Sequence, residues 1–171
     1  MLDLSTPQTL KPIQNPRRSE MTAWFLSLCL ILILIFSTEG GFFKVGGIIL
    51  CTFFLISAVI ISLGNWQNRK TVLRLSRDQI WYFNGIKESS LSWEEIQRVE
   101  VYSGRFNDKI SLVSDSGIIR FDIVNLEHFD QDKTPNYGFK EGVKILNSIL
   151  DQTDFNEKKQ NRLGYYYYQK G

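Results

Sequence analysis

The sequence has few of the residues from which active sites are usually built. It contains one histidine, His128, and two cysteines, Cys29 and Cys51, in 171 residues. It carries no glycine-rich phosphate-binding loop outside its apolar runs and no serine in a G-x-S-x-G turn. Because no second histidine or cysteine lies near His128 in the chain, we expect an ordinary surface histidine rather than a metal ligand. The sequence therefore predicts a protein that is not an enzyme and that holds no cofactor.

The charged residues give no strong signal for a metal ion or for nucleic acid. Glu94 and Glu95 are adjacent on one turn, which is more typical of a helix start than of a catalytic pair. Asp130 and Asp132 lack the further, regularly spaced acidic ligands of a calcium loop. Residues 67–171 carry sixteen Lys and Arg against fifteen Asp and Glu. Because a duplex-binding surface needs a clear basic excess, this balance argues against nucleic acid as a partner.

Two apolar runs without any charged residue occupy much of the first third of the chain. Residues 21–36 and 45–63, as helices rising about 1.5 Å per residue, approach the thickness of a bilayer core, roughly 30 Å. Only residues 37–44 connect them. The sequence therefore predicts a transmembrane helical hairpin over residues 21–64. The proline-rich residues 1–20 before it are expected to form a flexible arm.

Two alternatives to a plain hairpin remain open from the sequence. The first is that residues 1–36 are a cleaved signal peptide, although no small-residue cleavage site follows them and a second apolar run comes next. The second concerns Cys29 and Cys51, which lie inside the two runs. There they act as small apolar residues or join the helices through a disulfide.

Basic residues beside the apolar runs predict the orientation in the membrane. The outer flanks of the pair carry Lys11, Arg17, Arg18, Arg69 and Lys70, whereas the connection holds a single lysine. Lys and Arg are enriched in cytoplasmic segments next to membrane spans. Both termini are therefore expected on the cytoplasmic side of an inner or thylakoid-type membrane.

Beyond the apolar runs the pattern changes to short alternating segments that are typical of β-strands. We expect six strands, at residues 71–76, 79–83, 87–93, 96–103, 109–114 and 117–124. Asn84 and Gly85 fit the central positions of a type I′ hairpin turn. The S-x-x-E pattern from Ser92 to Glu95 predicts a single helical turn between two of the strands.

The C-terminal part predicts one helix and an unassigned tail. Over residues 139–151 the apolar residues recur at helical spacing, with Phe139, Val143, Leu146 and Leu150 on one face. Such a helix is expected to pack across the open end of the sheet. Residues 153–171 are polar apart from a run of four tyrosines, and no secondary-structure pattern assigns that run to a helix, a strand or a turn.

Two stretches resemble bacterial pleckstrin-homology (PH)-like proteins. They are VLRLSRDQIWYFNG at residues 72–85 and LSWEEIQRVEV at residues 91–101, which form a strand, a hairpin and an aromatic-E-E-I turn. The resemblance covers residues 21–152, and two N-terminal transmembrane helices commonly precede the domain in that family. In element order alone, the chain is also similar to the two-helix photosystem I assembly factor of cyanobacteria and plastids.

The resemblance implies an α+β membrane protein in four parts. After the arm and the transmembrane hairpin comes a PH-like antiparallel β-sandwich or barrel, at residues 65–152, closed by a C-terminal amphipathic helix. A polar, tyrosine-rich tail follows at residues 153–171.

These expectations favour a membrane-anchored binding module, acting as a scaffold or as an assembly or accessory factor of a membrane protein complex. A photosynthetic complex enters as a client by analogy only. Because aromatic residues commonly anchor protein interfaces, the candidate partner contacts are Tyr102, Phe106, Tyr165, Tyr166, Tyr167 and Tyr168. Disorder is the simpler expectation for the tyrosine tail, and addition as a strand to a sheet edge is the alternative. Trp81 and Phe83 fit either a contact surface or the core.

Sensing of anionic lipid is the alternative function. PH domains that bind phosphoinositides use clustered basic residues at the first hairpin, and the matching residues here are Arg69, Lys70, Arg74 and Arg77. The spacing departs from the K-x(n)-R-x-R pattern of that family, and Asp78 offsets part of the charge. The same basic residues have a simpler explanation as determinants of topology or as solvated charges.

Overall fold

A computed structural model of the chain describes residues 2, 4, 6–14, 17–36, 42–104, 107–124, 138–155, 157–162 and 164–169. Within these residues it contains three α-helices, nine β-strands and one 3-10 turn. The chain divides into two compact units. The helical unit is Asn15–Asn68, and the β unit combines Met1–Gln14 with Arg69–Gly171.

The helical unit is an antiparallel pair of long helices, α1 (Arg17–Phe36) and α2 (Phe42–Lys70). Near one end, Trp24 Nε1 donates a hydrogen bond to Ser62 Oγ at 2.8 Å. Near the other end, a Cβ added to Gly47 would lie 2.5 Å from a methyl carbon of Leu34, so the helices approach closely there. The predicted helical hairpin is confirmed, and both helices extend beyond the apolar runs into their polar flanks.

The side chains of the helical unit face outward. In the most apolar 18-residue windows of α1 and α2, only 6% and 11% of the residues are buried, unlike the core helices of a globular protein. The hydroxyls of Ser27, Thr52 and Ser57 donate to carbonyl oxygens one turn earlier in their own helices, so these polar groups are satisfied within the helices. Cys29 and Cys51 are both free thiols, so the alternative of a disulfide between the helices is wrong.

The β unit consists of two antiparallel sheets. Sheet A has the order β1-β2-β3-β4, with β1 Gln8–Leu10, β2 Thr71–Leu75, β3 Gln79–Asn84 and β4 Glu88–Ser92. Sheet B has the order β7-β6-β5-β9-β8, with β5 Arg98–Ser103, β6 Asn107–Ser114, β7 Gly117–Val124, β8 Glu157–Arg162 and β9 Tyr165–Gln169. The 3-10 turn Trp93–Glu95 connects β4 to β5 at the predicted place, and Glu95 Oε2 accepts from Ser92 N.

The six expected strands are confirmed with shifts of a few residues at their ends, and the coarse α+β class holds. The described residues form two open sheets rather than a closed barrel. Three further strands, β1, β8 and β9, were not expected. A flexible arm and a disordered tail are therefore both wrong, and the tyrosine run is a strand inside the chain's own sheet B, between β5 and the edge strand β8.

The N-terminal arm is part of the folded β unit. Leu4 is only 9% exposed and belongs to the core cluster, and Leu2 N donates to Ser148 Oγ at 2.9 Å. The short strand β1 pairs with β2 at the edge of sheet A. Pro7 and Pro12 flank it, as prolines can at a sheet edge. Cleavage after α1 would remove this strand from its sheet, which argues against the signal-peptide alternative.

The core lies between the two sheets and under α3 (Gly142–Thr153). Its largest fully buried side chains include Leu73, Ile80, Val99, Val101, Ile110, Leu112, Ile123, Ile145 and Ile149. The predicted apolar face of α3 is partly wrong, because Val143 is 53% exposed, whereas Ile145 and Ile149 are fully buried. Phe139 is buried as predicted but lies before the helix, in a bridge to Ile123.

The hairpin turn between β3 and β4 differs by one position from the predicted type I′ turn. Asn84 N donates to Lys87 O, so the two central residues are Gly85 and Ile86. Gly85 has a φ of 88°, whereas Asn84 and Ile86 have negative φ. Glycine at the first central position is the arrangement of a type II′ turn. The Asn84 side chain supports the turn instead, since its Oδ1 accepts from Ile86 N and Lys87 N.

Candidate functional site

The first candidate site is a group of side chains on the solvent side of sheet B, which we call the tyrosine face: Arg98, Glu100, Tyr102, Tyr165 and Tyr167. Val99 and Val101 point into the core, so their neighbours on β5 point outward. The pairing of Glu100 with Tyr167 and of Tyr102 with Tyr165 places two tyrosines of β9 on the same face. Tyr166 and Tyr168 point the other way.

Glu100 lies at the centre of the tyrosine face and is almost fully buried, with 6% of its surface exposed. Arg98 Nη2 is 2.9 Å from Oε1 of Glu100. The Tyr102 hydroxyl donates to Oε2 at 2.8 Å. Both carboxylate oxygens are therefore engaged, as a buried charge requires. Among the described residues, Arg98 Nε is a buried donor without an acceptor.

The rings of the tyrosine face form a continuous aromatic surface. The Tyr102 and Tyr165 ring centroids are 4.6 Å apart, and those of Tyr165 and Tyr167 are 6.3 Å apart. The Arg98 guanidinium lies 5.6 Å from the Tyr167 ring centroid. The cation–π contact with Arg98 and the hydrogen bond to Glu100 hold the Tyr167 and Tyr102 rings in place.

The electrostatics of the tyrosine face keep its phenols neutral. The hydrogen bond to Glu100, followed by burial and the negative charge of Glu100, raises the pKa of Tyr102 to about 12. Burial first, and Glu100 second, also raise the pKa of Tyr165 above its ordinary value of 10.0. Both hydroxyls are thus hydrogen-bond donors at any physiological pH.

The second candidate site is the solvent side of sheet A, which we call the Trp81 face: Val72, Arg74, Trp81, Phe83 and Glu88. The Trp81 and Phe83 rings stack with centroids 6.1 Å apart. The Arg74 guanidinium lies 4.9 Å from the Trp81 ring centroid, and Trp81 Nε1 donates to Glu88 Oε1. Neither Trp81 nor Phe83 belongs to the core cluster, so the sequence alternative that placed them in the core is wrong.

The structure separates the expected site residues into distinct places. It brings Tyr102, Tyr165 and Tyr167 together, while Tyr166 is buried and Tyr168 packs against the core cluster. Of the expected lipid contacts, Arg69 and Lys70 lie in the last turn of α2, Arg74 lies on the Trp81 face, and Arg77 is exposed between β2 and β3. The remaining positions lie outside the described residues: Phe106, His128, Asp130 and Asp132.

Sequence reasoning missed Arg98 and Glu100 as members of a site. The alternation of β5 places both on the outer face, but the pattern gives no sign that β9 covers Glu100. The sequence does not indicate that Arg98 and Glu100 form a buried ion pair, because the tyrosines that cover Glu100 lie about sixty residues later in the chain.

A cleft of about 240 Å³ lies between β3, β4 and β7. Lys87 and the hydroxyl-bearing residues Tyr82 and Ser89 line it. Arg120 also lines it, and its Nε donates to Ser111 Oγ on the neighbouring strand β6. Lys87 and Arg120 are therefore the two side-chain cations in the lining of the cleft. Within the described part of the chain, no three His, Cys, Asp or Glu side chains come together as a metal-ligand set.

Comparison with known proteins gives no relative from which a function could be transferred. No family model, no curated protein and no solved structure matches the chain. The features of the described chain that bear on function are therefore the tyrosine face, the Trp81 face and the exposed apolar helices.

Proposed function

We propose that the chain is a non-catalytic binding module, anchored in a membrane by α1 and α2, that contacts a membrane protein complex through the tyrosine face. It acts as a scaffold or as an assembly or accessory factor of that complex. The β unit is a PH-like domain in this proposal. A photosynthetic complex is one candidate client, on the analogy of element order alone.

Length and exposure support the membrane anchor. α1 has 20 residues and α2 has 29, so both reach about 30 Å or more at about 1.5 Å per residue. Their outward side chains are mostly large and apolar, including Phe25, Ile33, Ile49, Phe53 and Ile60. A solvent that is itself apolar explains this exposure, because two helices alone cannot bury it.

The pairing of β1 with β2 supports a same-side arrangement of the two ends. β1 precedes both helices in the chain and β2 follows them, yet the two strands belong to one sheet. The chain therefore crosses the membrane an even number of times between Leu10 and Thr71. With basic residues concentrated on the outer flanks, the β unit and both termini belong on the cytoplasmic side.

The tyrosine face is the single observation that carries the binding proposal. Its fixed aromatic rings present a large contact area at low cost in side-chain entropy, the property of residues that dominate protein interfaces. Because Arg98 and Tyr102 occupy both oxygens of Glu100, this carboxylate is suited to ordering the face rather than to proton transfer.

Affinity purification of the tagged full chain in mild detergent tests this function. We expect the subunits of one membrane complex to co-purify in stoichiometric amount. Tyr102→Ala should lower recovery roughly tenfold or more, as expected for an aromatic contact residue. The matched control is Val143→Ala on α3, another exposed residue of the β unit. Equal recovery with both variants, or recovery of the protein alone, would contradict the proposal.

Sensing of anionic lipid is the second candidate function, and a different observation favours it. Among the described residues, Arg74 has no carboxylate within ion-pair distance, and its guanidinium rests on the Trp81 ring. Under this function, Arg74→Gln together with Arg77→Gln lowers the binding of the protein to anionic liposomes. Tyr102→Ala leaves that binding unchanged.

A further inference from the structure

The inward face of the β3–β4 hairpin ends in polar side chains instead of core residues. Ile80 on β3 and its partner Leu91 on β4 are buried in the core. Two positions further along, Tyr82 pairs with Ser89, and because side chains alternate along a strand these two lie on the same face. Lys87 comes two residues before Ser89. The three polar residues line the cleft of about 240 Å³ beside β7.

The polar groups of the cleft have hydrogen bonds left to donate. Among the described residues, none hydrogen-bonds to the Tyr82 hydroxyl, the Ser89 hydroxyl or the Lys87 ammonium. Arg120 donates from Nε to Ser111 Oγ at 3.3 Å, and its two Nη atoms have no partner in the same described part of the chain. Lysine and arginine side chains donate and do not accept. The lining therefore suits a ligand that carries several acceptor oxygens.

Contacts outside the cleft hold part of its lining in place. The ring centroids of Tyr82 and Phe121 are 6.0 Å apart. The Lys87 backbone is fixed at the turn, since its N–H donates to Asn84 Oδ1 at 2.7 Å and its carbonyl accepts from Asn84 N at 3.1 Å. Binding of a ligand would therefore have to order mainly the lysine side chain, which keeps the entropic cost of binding low.

The charge at the cleft is positive. Lys87 and Arg120 both line it, and the neighbouring acids on the two strands are engaged elsewhere. Asp122 on β7 lies 3.8 Å from Lys109 Nζ, which offsets its charge. Glu88 on β4 accepts a hydrogen bond on the opposite face of sheet A. Two cations at one small cleft favour a doubly charged ligand over a singly charged one.

The remaining lining and the size of the cleft limit the class of ligand. Ile118 and Ile119 of β7 form an apolar part of the wall. A volume of about 240 Å³ is below the roughly 300–1,000 Å³ of clefts that hold drug-sized molecules. A small molecule with one multiply charged group and a short apolar body fits this space. A phosphate monoester has such a group, with a charge of about −1.5 to −2 at pH 7 and three acceptor oxygens.

We propose that this cleft binds a small, water-soluble phosphate monoester. Lys87 and Arg120 contact its charged oxygens, and the isoleucines of β7 contact its organic part. The hydroxyls of Tyr82 and Ser89 donate to the phosphate. The site lies beside the β3–β4 turn, at the other end of β3 from Arg77 in the β2–β3 turn. It is independent of the tyrosine face and of the membrane anchor, because all its residues belong to the β unit.

Methyl NMR of the full chain in a nonionic detergent, with labelled isoleucines, tests the site. Ile118 lines the cleft and is 46% exposed, so its methyl resonance reports on a ligand there, and Ile118→Val assigns that resonance. The probes are phenyl phosphate, benzoate and phosphatidic acid. The first carries a phosphate on an apolar ring, the second carries a single charge on the same ring, and the third carries a lipid phosphate.

We expect phenyl phosphate to shift the Ile118 resonance saturably and to bind roughly tenfold more tightly than benzoate. Lys87→Gln and Arg120→Gln should each raise its dissociation constant about tenfold or more, because each removes a charged hydrogen-bond donor. Tyr82→Phe keeps the ring and should raise the constant about two- to tenfold. The matched control, Lys140→Gln, removes an exposed positive charge before α3 and should leave the constant unchanged.

Four results overturn the inference. A shift that does not saturate, or equal losses with Lys87→Gln and Lys140→Gln, means a general attraction of anions to the surface. Benzoate that binds as tightly as phenyl phosphate refutes a phosphate site, and a shift with phosphatidic acid alone assigns the cleft to lipid. An unchanged resonance of the buried Ile149 shows that a variant is folded. If Arg120→Gln alters that resonance, Lys87→Gln and Tyr82→Phe still decide the outcome.

Discussion

At the scale of single residues, Glu100 determines the chemistry of the tyrosine face. It is a buried carboxylate whose two oxygens are used by Arg98 and Tyr102. A phenolate beside this charge would be repelled and would lose its hydrogen bond, so the neutral phenol is strongly favoured. Removing the charge of Glu100 should therefore lower the pKa of Tyr102 while the fold is kept.

We predict that Glu100→Gln lowers the pKa of Tyr102 from about 12 toward the ordinary value near 10. Carbon-13 NMR of labelled tyrosine rings measures this, with Tyr102→Phe to assign the resonance. At pH values between about 10 and 12 Tyr102 should remain neutral in the parent protein and ionise in Glu100→Gln. Identical titrations in the two proteins would show that Glu100 does not hold the hydroxyl.

The raised pKa of Tyr102 also predicts that the folded protein loses stability as the pH becomes high. The unfolded chain releases this proton near pH 10, whereas the folded chain keeps it until about pH 12. The contribution of Tyr102 to stability is therefore complete below about pH 10 and declines as the pH rises toward 12. In Glu100→Gln this part of the decline should be smaller.

The sequence predicts the orientation of these residues but not their environment. Alternation along β5 correctly places Val99 and Val101 inward and Tyr102 outward. It also places Glu100 on the outer face, from which an exposed side chain would be expected. Its burial depends on β9, and contacts between strands so distant in sequence leave no trace in local periodicity.

At the scale of elements, the N-terminal arm contributes a side chain to the core. Leu4→Ala should lower the free energy of opening of the β unit by about 2 kcal/mol, because a cavity replaces a buried side chain. Hydrogen exchange of the β6 amides in the detergent-solubilised full chain measures this. The control is Lys11→Ala, an exposed residue of the same arm. Equal protection in the two variants would mean that the arm does not support the core.

The start of α3 depends on a glycine for close packing. A Cβ at Gly142 would lie 2.9 Å from Ile123 Cβ and 3.0 Å from Val124 O, and the backbone carbonyl cannot move aside easily. Gly142→Ala should therefore destabilise the β unit by about 1–3 kcal/mol. At Gly64 on α2 an added Cβ meets nothing within 4 Å. Gly64→Ala should leave β6 exchange unchanged, and the same result for Gly142→Ala would contradict the packing.

Elements with a clear period were predictable, and those without one were not. β2 to β7 show strand alternation, and their positions are correct within a few residues. β9 consists of four tyrosines and a glutamine, so no apolar–polar alternation reveals its two faces. β1 has three residues and forms only because β2 offers an edge. A truncation that removes the tail would therefore remove two strands of sheet B as well as Tyr165 and Tyr167 of the tyrosine face.

At the scale of the whole molecule, one sheet links the beginning of the chain to the part that follows both helices. β1 can pair with β2 only if Leu10 and Thr71 lie on the same side of any membrane that the chain crosses. Two crossings satisfy this condition, and a single crossing breaks the sheet. The pairing of β1 with β2 and the positive-inside pattern are independent observations, and both favour a helical hairpin with its two ends on one side.

We predict that labels on the β unit report one side and a label on the helix connection reports the other. Thr9→Cys on β1, Asn147→Cys on α3 and Thr38→Cys in the connection are compared in a background with Cys29→Ala and Cys51→Ala. Thr9 and Asn147 are exposed. A membrane-impermeant maleimide should modify Thr38→Cys in intact cells and the other two only after permeabilisation, because basic flanks remain in the cytoplasm. Modification of Thr9→Cys from outside would place β1 apart from a cytoplasmic β2, and the edge strand of sheet A could not form in the membrane-bound protein.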